Sequence, residues 1–400
     1  MTTLALAVLI AWAGGAPPSG ERPLAKHLEA LRDADATVRL EAARSIGRLG
    51  PRAQGAVPAL VETLGDDDAD VRAAAARAIG AVGPAAQSAV PALLAALKDK
   101  GQFSTFQGEV PTRMPVWAAV SDALGDVGPA ALPDLVAALD DDHPQVFAGA
   151  AGAIRRIGPE AKEAVAPLVA LVKRDDPFAR RAGIYGLIGI GPEAKAAVPA
   201  LVEALEAENF HTRYWSCRAL RAIGPEAKAA VPVLIRLLRE DLPSVRRHAA
   251  QALGGIGPEI GEEATAALIA ALDDPLEPVR EDAAIALGEI GPPAEAAAPA
   301  LEKALAEGPL AARVPGAKAL WVITGRSDPA VGVLVDELGD YLWGVAAAEA
   351  LGEIGPPAAR AVPALRKLAA PDQAREDLRQ AAAAALKQID PASVPQQGPR

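Results

Sequence analysis

Nine Gly-Pro pairs recur at a near-regular spacing along this 400-residue chain, beginning at Gly50, Gly83, Gly128, Gly158, Gly191, Gly224, Gly257, Gly291 and Gly355; two more, at Gly308 and Gly398, fall outside that spacing. Successive gaps are 33, 45, 30, 33, 33, 33, 34 and 64 residues, the last being two periods of 32. Self-similarity at such a period means that one supersecondary unit is copied along the chain. A chain of this length ordinarily suggests two or three domains. The period replaces that expectation with a single repeated structure.

Before each pair lies a segment such as VRAAAARAIGAVGP (71–84) or VREDAAIALGEIGP (279–292); after it comes a second, such as EAKAAVPALVEAL (193–205). Eleven copies of the first segment align. Their ninth positions are Ile46, Ile79, Leu124, Ile154, Leu187, Leu220, Leu253, Leu287, Leu320, Leu351 and Leu386, and every twelfth is Leu, Val or Ile. Positions 1, 5, 8, 9 and 12 have the three-and-four spacing of one helical face. The Gly ends that helix and the Pro forbids its continuation. In the second segment Val-Pro (57–58, 90–91, 198–199, 231–232, 362–363) places Pro in a first helical turn, where its missing N–H costs little. Eleven periods therefore predict about 22 helices.

Composition agrees. Hydrophobic residues make up 51% of the chain but aromatics only 3%, so the apolar mass is Ala, Leu, Val and Ile, which suits close-packed helices. One helix pair cannot bury enough surface to fold alone; neighbours must cover both of its faces, which predicts an elongated solenoid. The expected organisation is an N-terminal segment over 1–22, a solenoid over 23–390 and a disordered tail over 391–400.

The motif D-x-x-V-R-x-x-A-A-x-A-L-G-x-I-G-P resembles HEAT repeats, specifically the short phycobilisome-lyase-like kind, over residues 24–390. The resemblance implies an all-α, α-α superhelix of about eleven helix pairs. In it the first segment is an inner helix lining a concave surface and the second an outer helix. It also implies that the position-2 arginines (Arg39, Arg72, Arg180, Arg213, Arg246, Arg280, Arg313 and Arg379) pair with Asp of an adjacent turn as a ladder. The family is mostly scaffolds and adaptors, with a few enzymes. One enzymatic branch uses His-Glu dipeptides to hold iron. Here the four His precede Leu28, Pro144, Thr212 and Ala249, so no such dipeptide exists.

No catalytic residue, metal site or cofactor is expected. A single Cys, Cys217, excludes a disulfide framework and a Cys zinc site. Gly189-Ile190-Gly191-Pro192-Glu193-Ala194 satisfies G-x-G-x-x-A, but it follows a helix rather than a strand. The Asp-rich turns (66–68, 140–142, 175–176, 273–274) precede inner helices, where carboxylates cap free N–H groups. Net charge is −11, which gives nucleic acid no global support.

Departures from the repeat carry the candidate site. Positions 3, 4 and 7 of the inner helix share an exposed face. In repeat 2 they are Ala73, Ala74 and Arg77. In repeats 5 to 7 they become Arg181, Ala182, Tyr185; Tyr214, Trp215, Arg218; and Arg247, His248, Gln251, with Arg221 nearby. Aromatics and Arg typically dominate interface energetics, so this is the expected concave binding patch. The alternative is that Tyr214 and Trp215 fill gaps between helices. Glu281, Asp282 and Glu289, with Asp122 and Asp126, would bracket the patch and favour a partner of mixed charge. A second candidate is the insertion of about 12 residues in repeat 3, a loop over 99–115, whose Phe103 and Phe106 would dock on a partner or fold back onto Trp117.

The expected function is a non-catalytic scaffold, acting as a monomer without a membrane span and binding a protein or peptide. The alternatives are an enzyme or accessory of the lyase-like class (bilin lyase-like or oxidoreductase-related) and a HEAT-like DNA-binding protein. Residues 4–13, LALAVLIAWA, precede Gly14-Gly15-Ala16 and resemble a secretory signal, although no Lys or Arg precedes them; export is expected on that basis and a cytoplasmic location otherwise.

Overall fold

The computed structural model describes residues 24–107, 110–240, 242–307, 310–370 and 374–391. The signal-sequence expectation and most of the expected tail lie outside them. The chain divides into two compact units, 1–157 and 158–400.

Among the described residues the first unit holds α1 (Leu24–Ala30), α2 (Ala36–Leu49), α3 (Val57–Thr63), α4 (Ala69–Val82) and α5 (Val90–Ala96). A β-hairpin follows, β1 (Gln102–Gln107) and β2 (Val110–Pro115), and then α6 (Val116–Val127), α7 (Leu132–Ala138) and α8 (Pro144–Ile157). The second unit holds α9 (Val165–Val172), α10 (Pro177–Ile190), α11 (Val198–Ala204), α12 (Phe210–Ile223), α13 (Val231–Glu240), α14 (Pro243–Ile256) and α15 (Gly261–Ala271). It continues through α16 (Glu277–Ile290), α17 (Ala298–Glu307), α18 (Leu310–Thr324), α19 (Ser327–Glu337), α20 (Gly344–Ile354), α21 (Val362–Ala369) and α22 (Glu376–Ile389). Even-numbered helices are the inner ones of the sequence pattern. The described residues thus contain the 22 helices that eleven periods predict.

The inner-helix pattern is buried as its spacing requires. In α4 Val71, Ala75, Ala78, Ile79 and Val82 are buried; in α14 the same positions are Val245, Ala249, Ala252, Leu253 and Ile256. Each outer helix packs on the inner helix that follows it in sequence. The Gly-Pro corner instead leads from one helix hairpin to the next. There the chain forms a 3₁₀ turn, as at Gly83–Ala89, Gly191–Ala197 and Gly224–Ala230. Three residues per turn put the first and last Ala of G-P-x-A-x-x-A on one side, and Ala86/Ala89, Ala194/Ala197 and Ala227/Ala230 are fully buried. The corner Gly must turn left-handed, with φ of 75° at Gly83 and Gly224. The stretch Ala69–Ala96 is apolar enough by composition to suggest a membrane span, but this corner breaks it into α4 and α5.

Successive inner helices approach through position 10, commonly Gly, and position 8 of the next repeat, commonly Ala. A Cβ on Gly80 would lie 2.9 Å from Ala123 Cα, one on Gly254 2.7 Å from Ala286 Cα, and one on Gly352 3.1 Å from Ala385 Cα. Ile188 and Arg221 occupy that position in α10 and α12, so those helices cannot use this Gly–Ala approach. Between each of those helices and the next inner one the rings of positions 3, 4 and 7 meet, Tyr185 with Trp215 and Tyr214 with His248.

Turn carboxylates act as caps and ladder partners. Asp68 caps α4 through Asp70 N–H and Val71 N–H, and Asp176 caps α10. Arg39 forks onto Asp66 (2.7 and 2.8 Å), Arg72 onto Asp99 (2.5 and 3.0 Å) and Arg246 onto Asp274 (2.8 and 3.0 Å). Arg313 reaches a buried glutamate, Glu337, at 2.7 Å. Hydrogen bonding from Arg39 holds the Asp66 carboxyl below its usual range. Burial pushes the Asp99 carboxyl up, but hydrogen bonds from Arg72 and the Gly101 N–H outweigh it and leave Asp99 below its usual range as well.

The insertion is not a loop. Residues 102–107 and 110–115 pair as an antiparallel hairpin, with Phe103 opposite Met114 and Thr105 opposite Thr112. It lies on the face of α4 that the pattern left open. Ala73 and Ala74 are buried, Phe103 is 3% exposed with the Arg77 guanidinium 4.5 Å over its ring, and Ser104 N–H donates to Asp70 Oδ1 (2.6 Å). Of the two readings of Phe103, docking on a partner or folding back on the chain, the structure shows the second, with α4 as the surface it packs against. The Phe106 side chain lies outside the described residues.

Candidate functional site

The patch residues lie on α10, α12 and α14, all within the second unit. Each inner helix presents positions 3, 4 and 7 on one side, so the aromatics of neighbouring repeats come into register. Tyr185 of α10 meets Trp215 of α12 edge to face, centroids 5.7 Å apart at 88°. Trp215 meets Tyr214 of its own helix at 5.1 Å and 85°. Tyr214 meets His248 of α14 at 4.2 Å. The Arg218 guanidinium lies 4.7 Å over the Trp215 ring and 5.8 Å from Tyr214, with the Tyr214 hydroxyl 3.5 Å from Nη1. Four rings thus form a continuous chain across three inner helices. All four are half-buried, and Arg218 is exposed.

The arrangement makes Tyr214 and Trp215 both fillers and surface. They occupy the space between helices, and they still present edges to solvent. Edge-to-face pairs of this kind are favourable at these separations, and a cation over a Trp face adds to them. His248 Nδ1 lies 2.7 Å from the Ser244 carbonyl, and burial lowers the His248 pKa, with the Arg218 and Arg247 charges acting in the same direction. The Ser244 carbonyl and Asp282 act in the opposite sense, and the net lowering favours the uncharged ring.

Two further cations of the patch, Arg247 and Arg221, are already engaged. Arg247 Nε donates to Asp282 Oδ2 at 2.7 Å, and Gln251 Nε2 donates to Asp282 Oδ1 at 2.8 Å. Asp282 is 4% exposed, so it belongs to the packing of α14 on α16. Arg221 Nη2 donates to Glu289 Oε1 at 2.8 Å. Burial pushes the Glu289 and Glu281 carboxyls up from their usual range. In the first unit, Asp126 and Asp122 pair with Arg156 at 2.6 and 3.9 Å. Most of the acids expected to bracket the patch are thus consumed by the chain's own arginines, which corrects the mixed-charge reading.

Arg181 differs. Its guanidinium lies 5.1 Å over the Phe178 ring and is exposed. Phe178 went unnoticed in the sequence, although it stands three residues before Arg181 on a helix, the spacing at which side chains meet. A cleft of about 610 Å³ lies where the turns before α12 and α14 meet α13, lined by Glu206, Ala207, Arg213, Arg236, Leu242 and Arg246, among others. Its arginines serve the structure: Arg236 pairs with Glu206, Arg246 with Asp274, and Arg213 donates to the Ala207 and Glu208 carbonyls. Among the described residues no group of three or more His, Cys, Asp or Glu is arranged to hold a metal ion.

No curated protein matches the sequence significantly. Solved structures of similar fold include the karyopherin Kap121p bound to the SUMO protease Ulp1p, at 15% identity and TM-score 0.52, covering 93% of this chain and 46% of that one. Kap121p bound to the extreme C-terminus of the protein phosphatase Cdc14p gives 14% identity and TM-score 0.51, with the same coverage. Kap95p, described for its binding to RanGDP, gives 15% and 0.52, covering 93% and 57%. The chain spans about half the length of these structures, and at such identities the likeness is one of fold. The PBS lyase HEAT-like repeat profile matches residues 345–370. The HEAT repeats profile matches 24–103, 115–188, 170–254 and 231–320. This chain belongs to the HEAT-repeat family.

Proposed function

We propose that this protein is a protein-interaction scaffold that seats a segment of its partner on the inner-helix face of α10, α12 and α14. The observation that carries this reading is the ring chain Tyr185–Trp215–Tyr214–His248 with Arg218 over Trp215. Rings held against one another lose little freedom on binding, and a stacked guanidinium keeps its outward N–H groups for a partner. Trp, Tyr and Arg at the centre of a surface are the side chains that typically carry most of a protein–protein affinity. Karyopherins of similar fold have been solved with bound proteins and peptides, which supports the same use here.

The test is the double variant Trp215→Ala/Arg218→Ala. Affinity capture from extract of the source cells, followed by mass spectrometry, is expected to retain a partner on the unaltered protein and lose it on the variant, with the helical circular dichroism unchanged. Equal capture by a folded variant would overturn the assignment.

A further inference from the structure

The three inner helices α10, α12 and α14 contain no Asp or Glu, in a chain whose net charge is −11. They carry seven arginines. Arg180, Arg213 and Arg246 turn towards the preceding or following turns, where they meet backbone carbonyls and Asp274. Arg221 and Arg247 are neutralised by Glu289 and Asp282. Arg181 and Arg218 are left, and among the described residues neither has a carboxylate within ion-pair distance. Both are exposed, and both lie over aromatic rings. They flank the Tyr185–Trp215 contact, Arg181 one turn before Tyr185 and Arg218 one turn after Tyr214.

The chain itself shows how an extended segment lies on this face. In the first unit β1 covers positions 3, 4 and 7 of α4, placing its Phe103 under the position-7 arginine, Arg77. Arg218 is the position-7 residue of α12. We propose that the α10–α12 face receives an extended acidic segment of a partner protein, with carboxylates on Arg181 and Arg218 and an apolar side chain on the Tyr185–Trp215 edge. This deepens the proposed scaffold function and rests on it. A guanidinium over a ring still offers two parallel N–H groups to a carboxylate, a fit that a lysine or an amide lacks. Two uncompensated cations are too few to hold a polyanion by counterion release, so a nucleic acid is the poorer match.

Selection from a random library of peptides of about 12 residues, about 40 Å when extended, tests this on the full chain. The unaltered protein is expected to enrich Asp- and Glu-containing sequences with one aromatic or large aliphatic residue. Arg181→Glu/Arg218→Glu is expected to bind those sequences on the order of a hundredfold more weakly and to enrich Lys and Arg instead. Trp215→Ala is expected to lose selection of either kind. Enrichment of neutral or basic sequences by the unaltered protein, abolished by Trp215→Ala, would overturn the acidic class and leave the docking face standing. Selection unaffected by Trp215→Ala, or no selection at all, would overturn the face itself.

Discussion

Arg221 and Glu289 bond at 2.8 Å across two repeats, passing over the α14 helix that lies between them. The path is open because α14 carries Gly254-Gly255 there. A Cβ on Gly255 would sit 2.6 Å from Arg221 Cγ, and one on Gly254 2.5 Å from Glu289 Oε2. Three consecutive inner helices are thereby clasped beside the aromatic patch.

Gly254→Ala is expected to destabilise the second unit by about 1–3 kcal/mol, the range for overpacking. The Glu289 carboxylate can swing away from a new methyl, but the Ala286 backbone 2.7 Å away cannot. Glu289→Gln is expected to change stability by less than about 1 kcal/mol, because the pair is partly exposed and screened. Urea unfolding followed by circular dichroism compares the two. A larger loss from Glu289→Gln would mean that the ion pair, rather than the Gly-lined path, holds α14.

The contrast between Gly47 and Gly80 tests the position-10 rule. Gly47 has ordinary space, with Ala78 Cα 3.4 Å from its Cβ position, whereas at Gly80 the corresponding distance to Ala123 is 2.9 Å. Gly47→Ala is expected to be neutral or to gain up to about 1 kcal/mol from helix propensity. Gly80→Ala is expected to lose about 1–3 kcal/mol through overpacking. Thermal melts of the two variants should move in opposite directions or differ by several degrees.

Phe103→Ala is expected to cost about 3 kcal/mol, the range for emptying a buried aromatic site. It should do so without touching the α10–α12 face. A loss of partner capture with unchanged melting temperature would reassign the hairpin to binding.

Two sets of carboxyls predict the acid limb of stability. The ladder aspartates Asp66, Asp99 and Asp274 are held below the ordinary 3.8, so their stabilisation is present above that value and lost as pH falls through the depressed values. Glu281 and Glu289 are raised above 4.5, so their contribution is complete below 4.5 and lost as pH rises through the raised values. Asp99→Asn is expected to lower stability near neutrality by about 2 kcal/mol and to flatten the fall below pH 4. Glu289→Gln is expected to flatten the decline above pH 4.5. Denaturant midpoints measured from pH 3 to 7 check both.

Legibility followed periodicity. The helix count and the buried set in α4 and α14 were readable because Val71, Ala75, Ala78, Ile79 and Val82 repeat a 3.6-residue face that only a helix satisfies. The 3₁₀ corner was also written, as Ala86 and Ala89 three apart, but a period of three over seven residues is easily absorbed into a helix stop. The hairpin is not legible in this way, because the segment around Phe103 departs from the repeat and its registry depends on α4 offering an uncovered face.

By itself the sequence determined the repeat, the direction of each inner-helix face and the columns into which Tyr185, Tyr214, Trp215 and Arg218 fall, since helical spacing fixes which residues share a side. Only the tertiary structure decided which charges are spent. Ion pairing depends on distances between helices, and Glu289 reaches back two repeats through a glycine path that no local pattern announces. That is why Asp282 and Glu289, expected to colour the patch with negative charge, instead silence Arg247 and Arg221. Arg181 and Arg218 are left as its uncompensated charge.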